Sequence, residues 1–412
     1  MSTRVNASEN GYLSTATLLM MATATGLCAG ANYFNQPLLS SMANALNISE
    51  EMAATTVTLS QVAYALGLLF LVPLGDKLEQ RALAVGLMLL AASGLAISGW
   101  GGSFSLLIVG TLITGVFSVA AQTLVPMAAN LSDPLRSGRA VGLVMSGLLA
   151  GILLARTAAG LLSEIGGWET VYQVSAVLMV LLAGALLRVL PQARNPAPQS
   201  YGATMRSLLK LAAEHPRLRT RSVLGGLVFG SVSALFSTMA LLLSAPPFGL
   251  SDSQIGLIGL IGVAGVVTAS LAGRLSDRGL GQPVTLIAIG ILLLGWIGLY
   301  LGSGSLLTFL LALLVLDVAL PAVHISNQSV IYKLAPQARA RVNAVYMTCY
   351  FIGASSGSAL GVSAWSHAGW AGTCAVGVGF GVVALAVLAW DQSLKRADSA
   401  QQTEQQCQPQ PQ

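Results

Sequence analysis

The chain has 412 residues, 54% of them hydrophobic and only 8% charged. Soluble globular proteins carry about 25% charged residues, so a soluble enzyme or a nucleic-acid binder is excluded and a membrane protein is implied. The net charge of +5 follows membrane topology and does not gather against an acidic partner.

A hydrocarbon core about 30 Å thick takes roughly 20 apolar residues per helix. Uncharged runs of that length predict twelve spanning helices, near 14–35, 54–74, 82–100, 105–128, 139–162, 170–190, 220–243, 253–273, 283–301, 305–326, 341–364 and 371–390. The first run has only Arg4 in front and ends in Asn32, Asn35, Gln36 and Pro37, so it reads as a spanning helix and not as a cleaved leader. With both termini in the cytoplasm, nineteen of the 20 Lys and Arg fall on the cytoplasmic side, and the one left over, Arg156, lies inside a predicted helix. A multi-pass protein of the cell inner membrane, N-terminus and C-terminus inside, is expected.

Shifting the chain by 202 residues aligns Pro134 with Pro336, Arg139 with Arg341, Gly151 with Gly353, Gly167 with Gly369 and Trp168 with Trp370. Asp76 and Lys77 meet Asp277 and Arg278 at a shift of 201. The matches predict an all-α membrane protein of two parallel six-helix repeats, 1–190 and 220–391, with a binding site near the midplane between them. The stretch 191–219 reads as a cytoplasmic linker, either a solvated tether or an interfacial basic helix over 204–214; the Gln-rich tail 392–412 is expected to be disordered.

The loops Gly75-Asp76-Lys77-Leu78-Glu79-Gln80-Arg81 and Gly273-Arg274-Leu275-Ser276-Asp277-Arg278-Gly279 resemble the cytoplasmic loop signature of the major facilitator superfamily. The second copy is the fuller one, since the first has Val72 and Glu79 where the family usually has glycine. Asn35-Gln36-Pro37-Leu38-Leu39 and His324-Ile325-Ser326-Asn327-Gln328 are similar to the bacterial arabinose/drug efflux permease-like subgroup. The resemblance covers nearly the whole chain and implies the twelve-helix fold, alternating access, a monomer, and a cytoplasmic gate from Asp76, Lys77, Arg81, Asp277 and Arg278. Two departures stand out. Thr111 occupies the place of the drug exporters' helix 4 arginine, and the fifth helix reads Gly147-x-x-x-Gly151 without the antiporters' proline.

An ionised side chain near the bilayer centre costs from about 2.5 to more than 10 kcal/mol. Two such groups are expected, Arg156 in the fifth helix and Asp317 in the tenth, either facing each other across a cavity or binding opposite charges of a substrate and a proton. Asp317, His324 and Gln328 fall within roughly 40° of one another on a helix, so Asp317 reads as a proton carrier and His324 as a second stop for the proton. Pro321 between them removes one backbone bond. Polar stripes also mark the fourth helix (Thr111, Thr114, Ser118, Gln122), the first (Thr25, Cys28, Asn32, Asn35, Gln36) and the seventh (Ser233, Ser237, Ser244). Asn32, Gln36 and Gln122 are the strongest of these, because an amide has more hydrogen-bonding capacity than its own helix can fill.

The four cysteines have no metal-ligand spacing, and no phosphate-cradling Gly-Lys-Ser/Thr loop is present, so neither a metal, another cofactor nor ATP is implied. The expected function is secondary transport of a small organic solute, proton-coupled and outward, with proton-coupled uptake or facilitated diffusion as the alternative. A sensor or an intramembrane enzyme is the remote alternative, without a sizeable output domain or a gathered catalytic set. Few aromatics stand on the proposed cavity faces, which disfavours a large lipophilic-drug pocket, and the amide-rich lining favours a solute with hydroxyls, such as a sugar or an amino-acid-like metabolite.

Overall fold

A computed structural model describes residues 13–133, 136–192, 200–335 and 338–407. The side chains of Asp76, Val266, Val267, Asp277, Ala340 and 397–407 are outside the description, as are Pro134 and Pro336 of the internal repeat. Twelve apolar helices account for the described chain: α1 (Thr15–Gly30), α2 (Glu50–Phe70), α3 (Gln80–Trp100), α4 (Phe104–Asn130), α5 (Ser137–Gly166), α6 (Trp168–Val189), α7 (Pro216–Ser244), α8 (Asp252–Ser276), α9 (Gly281–Leu301), α10 (Leu306–Leu334), α11 (339–367) and α12 (370–407). Side-chain caps start several of them. Ser14, Ser49 and Ser103 accept backbone N–H groups of the first turns of α1, α2 and α4, and Ser251 forms a full capping box with Gln254 at α8. Glu79, which departs from the family's glycine, caps α3 by accepting from the N–H groups of Arg81 and Ala82.

Both corners that the repeat singles out are explained by backbone conformation. Gly167 (φ 85°) and Gly369 (φ 55°) turn the chain between α5 and α6 and between α11 and α12 in the left-handed region, and each is followed by a buried tryptophan, Trp168 and Trp370. The helices that lead into these corners, α5 and α11, are each packed by glycine against the first helix of their half. Gly26 and Gly30 of α1 meet the backbone of Gly147 and Gly151 on α5, with Ala155 beside Gly30. In the second half Gly226 and Gly230 of α7 meet Gly353 and Gly357 on α11, followed by Ala234 against Gly361. In a membrane, where lipid is as apolar as the helix, such backbone approach drives helix association. The sequence run Gly225/Phe229/Ser233 is one residue off this seam, which explains why it breaks at Phe229.

Several boundaries differ from expectation. The first helix ends at Gly30; turns and a short 3₁₀ helix, Gln36–Leu38, carry the chain to a short helix Leu39–Leu46. Pro37, second in the 3₁₀ helix, has no N–H to continue the α ladder. Asn32, Asn35 and Gln36 therefore do not extend a helical stripe from Thr25 and Cys28. By contrast α10 runs unbroken past Pro321. The seventh helix begins at Pro216, four residues before the expected start, and a linker helix occupies Tyr201–Glu214. Beyond residue 392, where disorder was expected, helix continues to Cys407; the sequence there is rich in Gln, Lys, Arg, Ala and Glu, strong helix formers, and holds no Gly or Pro.

One end of the bundle carries the linker helix and the 77–79 and 278–280 turns and is called here the linker face; the opposite end, with the 31–49 and 245–251 connections, is the far face.

Candidate functional site

Arg156 projects from α5 toward the boundary between the halves. Its Nε donates to Gln36 Oε1 at 2.6 Å, and its guanidinium lies 4.0 Å from the ring centre of Phe236 on α7 and 5.1 Å from that of Tyr33. The backbone carbonyl of Arg156 abuts α8 at Gly256, and its side chain rests on Gly259. Asp317 of α10 reaches the same helix from the other side, with Oδ2 beside Gly262 and Gly265. These glycines, every third residue from 256 to 265, leave room for both side chains, and the 3₁₀ turn Gly259–Gly262 separates them. Arg156 and Asp317 attract each other electrostatically, but among the described residues no ion pair joins them and no hydrogen bond engages the Asp317 carboxylate.

The other expected residues disperse. His324 stays on α10 but turns to α11, with Nδ1 3.1 Å from the Tyr346 hydroxyl and its ring 5.0 Å from that of Tyr350. Gln328 also meets α11, donating to Asn343 Oδ1 at 3.4 Å. The expected sharing of one face by Asp317, His324 and Gln328 therefore does not gather them: Asp317 contacts α8, while the other two contact α11. Asn32 is buried and internal to the first half, accepting from Ser60 at 3.2 Å. Gln122 donates to the Tyr64 hydroxyl at 3.3 Å, and Thr111, Thr114 and Ser118 are buried in the same half. At the linker face Lys77 and Arg278 are exposed, and Arg81 donates through Nη1 within the first half to the carbonyls of Leu187 and Leu190 that end α6. The side chains of Asp76 and Asp277 lie outside the described residues.

Three features escape the sequence reading. The first is an aromatic group at the centre of the boundary. Tyr64 of α2 packs on Phe351 of α11 at 4.5 Å, and Phe229 of α7 stacks on Tyr350 at 4.2 Å and meets Phe351 edge-on. The expectation of few aromatics is corrected here: Tyr64 and Phe351 come from α2 and α11, where no polar stripe was marked, and Phe229 stands one turn before Ser233 on the α7 stripe itself.

The second is a clasp at the far face. Asp252 at the start of α8 accepts from Ser41 at 2.5 Å and from Ser163 of α5 at 2.7 Å; Glu164 accepts from Ser251 and Ser253, and Ser40 bonds Ser244 at 2.8 Å. Further in, Thr157 donates to Gly256 O, Thr58 bonds Ser358, and Gln61 and Ser233 exchange two bonds of 2.7 and 2.9 Å. The described hydrogen bonds between the halves thus run from the far face to Gln61 and Ser233, and Tyr201 of the linker bonds Phe70 O.

The third is a second pair of buried charges, so the expectation of two intramembrane ionisable groups is too low. Arg221 of α7 and Asp391 of α12, 0% and 1% exposed at their side chains, form an ion pair of 2.6 Å. Thr220, Gln282 and Arg217 also bond Asp391, and Asn327 accepts from Arg221 at 3.1 Å. The sequence hid it because Arg221 abuts the basic linker and Asp391 falls one residue past the last expected span.

Two six-helix halves sharing glycine-packed helix pairs, with polar groups meeting across a central boundary, define a multi-pass membrane transporter. The family model of the Major Facilitator Superfamily matches residues 21–358 and, separately, 222–408. The chain belongs to that superfamily. It is similar to an uncharacterized transporter, YgaY, of Escherichia coli O157:H7, at 47% identity over 391 residues covering 95% of this chain and 99% of the other. A probable transporter, SCO4007, of Streptomyces coelicolor is 31% identical over 360 residues, 87% of this chain and 84% of the other. In fold it is similar to a solved bacterial homolog of the human lysosomal transporter Spinster, with a TM-score of 0.72 at 15% identity, covering 95% of this chain and 98% of that one.

Proposed function

We propose that the protein is a proton-coupled secondary transporter of the cell inner membrane that exports a small organic solute by alternating access, as a monomer with both termini in the cytoplasm. The moving bodies are 1–190 and 220–391, joined by the linker 191–219. Asp317 carries the proton and Arg156 anchors the solute; Gln36 positions Arg156. His324, Gln328, Asn32 and Gln122 shape the pathway. Lys77, Arg81 and Arg278, with Asp76 and Asp277, form the gate at the linker face, which is cytoplasmic in this reading.

The observation that carries the reading is the unpaired Asp317 carboxylate beside Arg156 at the boundary between the halves. A half-buried carboxyl group without a hydrogen-bond partner among the described residues has reason to exchange its proton whenever the crevice opens to one side or the other. The far-face clasp is closed while the described polar contacts between halves stop at mid-depth, an arrangement that fits an inward-facing state.

The test is flux in reconstituted vesicles. An imposed pH gradient drives solute against its own gradient in the wild type, and Asp317→Asn abolishes that coupling. Flux indifferent to the pH gradient rejects proton coupling, and proton and solute moving in the same direction would replace export with uptake.

A further inference from the structure

We propose that the transported solute carries a zwitterionic headgroup of the α-amino-acid type, its carboxylate taken by Arg156 and its ammonium by Asp317 across the Gly259–Gly262 turn. This rests on the assignment of the crevice as the transport site and adds the substrate's chemical class.

Both charged side chains hold unspent hydrogen-bonding capacity among the described residues. Arg156 uses Nε on Gln36, and among the described residues neither of its terminal nitrogens makes a hydrogen bond. Those nitrogens form the planar fork that suits a carboxylate, and the rings of Phe236 and Tyr33 fix the plane in which the fork lies. Asp317 likewise has no hydrogen bond or ion pair among the described residues. The two rest on points of α8 that differ by one 3₁₀ turn, roughly 6 Å along the axis at about 2.0 Å per residue. Direct pairing is therefore not made, and the interval suits a small bridging group. An amino acid's nitrogen and nearest carboxylate oxygen stand about 3 Å apart, and two charge-assisted bonds of about 2.8 Å on a bent path complete the span.

Charge balance narrows the class. An anion satisfies Arg156 but is repelled by ionised Asp317. A cation does the reverse. A neutral polyol leaves both half-buried charges without a counter-charge, which is costly at this depth. A zwitterion answers both. The aromatic group formed by Tyr350, Phe351 and Phe229, with Phe236 beside Arg156, supplies apolar contact for the body of the solute.

The experiment uses the purified full chain and two matched series of probes: L-phenylalanine with phenethylamine and 3-phenylpropionate, and L-leucine with isoamylamine and 4-methylvalerate, with L-arabinose as the neutral comparison. Binding is read from probe-induced shifts in thermal unfolding as a function of concentration. At least one of the two zwitterions is expected to bind at least tenfold more tightly than its amine and its acid, and more tightly than L-arabinose. Arg156→Gln and Asp317→Asn are each expected to weaken that zwitterion at least tenfold, with Arg156→Lys intermediate. Should Arg156→Gln not fold, Gly262→Ala, whose added methyl meets Leu153 Cδ1 at 2.9 Å and stands 3.5 Å from Asp317 Oδ2, is expected to weaken the zwitterion selectively.

Silence from both zwitterions, equal binding of a singly charged probe, or preference for L-arabinose overturns the proposal. A zwitterion that binds through both residues but whose flux ignores a pH gradient leaves this inference standing and removes proton coupling. Gradient-driven L-arabinose flux without zwitterion binding does the opposite.

Discussion

The seam between α1 and α5 and the seam between α7 and α11 are built alike, from glycines that let backbones touch, yet the two halves bury opposite chemistry at the linker face. The shift of 200 that takes Gly26 to Gly226 takes Met21 to Arg221, and the shift of 202 that takes Trp168 to Trp370 takes Val189 to Asp391. Where the first half has a fully buried methionine, the second has a buried ion pair with further polar partners around it. The first half is a natural control: the same architecture packs without the charges. Buried ion pairs are frequently no more stabilising than apolar side chains of similar volume, whereas removing one partner is severe. The contrast implies that Arg221 and Asp391 stabilise their half only as a pair.

The largest expected effect breaks that pair. Asp391→Ala leaves Arg221 buried without its counter-charge and is expected to cost about 3–5 kcal/mol, read as a fall in thermal unfolding temperature and in yield of monodisperse protein. Replacing both partners by the first half's residues, Arg221→Met with Asp391→Val, is expected to restore stability to within about 1 kcal/mol of the wild type. A double variant as damaged as the single one would show that the halves are not equivalent there.

An intermediate effect tests the shared seam. A methyl group at Gly26 meets Gly147 O at 2.5 Å, and one at Gly226 meets Cys349 O at 2.7 Å. Gly26→Ala and Gly226→Ala are each expected to cost about 1–3 kcal/mol, by similar amounts in the same unfolding assay. Unequal losses would place more of the packing in one half.

The smallest effect is at the surface. Lys77→Ala removes an exposed charge and is expected to change stability by less than about 0.5 kcal/mol, so any large change in transport rate from it would report gating and not folding.

The fold was legible because a bilayer enforces its own grammar. Span length, the distribution of Lys and Arg, and the repeat of Gly167-Trp168 at Gly369-Trp370 each follow from a physical requirement that the sequence must display. The site was legible in part. Arg156, Asp317 and Gln36 stood out because charge and amide groups at that depth are costly, and Arg156 and Gln36 do bond. The grouping of His324 and Gln328 with Asp317 failed because helical angle says which side a residue occupies and not which neighbour stands there; α8 lies beside one and α11 beside the others. Asp252, Ser41 and Ser163 were missed since they join elements 211 and 89 residues apart, and nothing local marks their meeting. The pair of Arg221 and Asp391 was missed for a different reason. A basic run beside a span reads as topology, and a span's last residue reads as interface.

The linker carries a mechanical consequence. Tyr201 at its helix start donates to Phe70 O at the end of α2, and Arg219 at the start of α7 donates to Ala212 O and Ala213 O at its helix end. The segment is thus pinned at both ends, a strut of fixed reach instead of a slack leash. Rocking of one bundle must then either pivot about those two pins or release one of them, which makes the Tyr201 hydroxyl the natural place for a stroke to be limited.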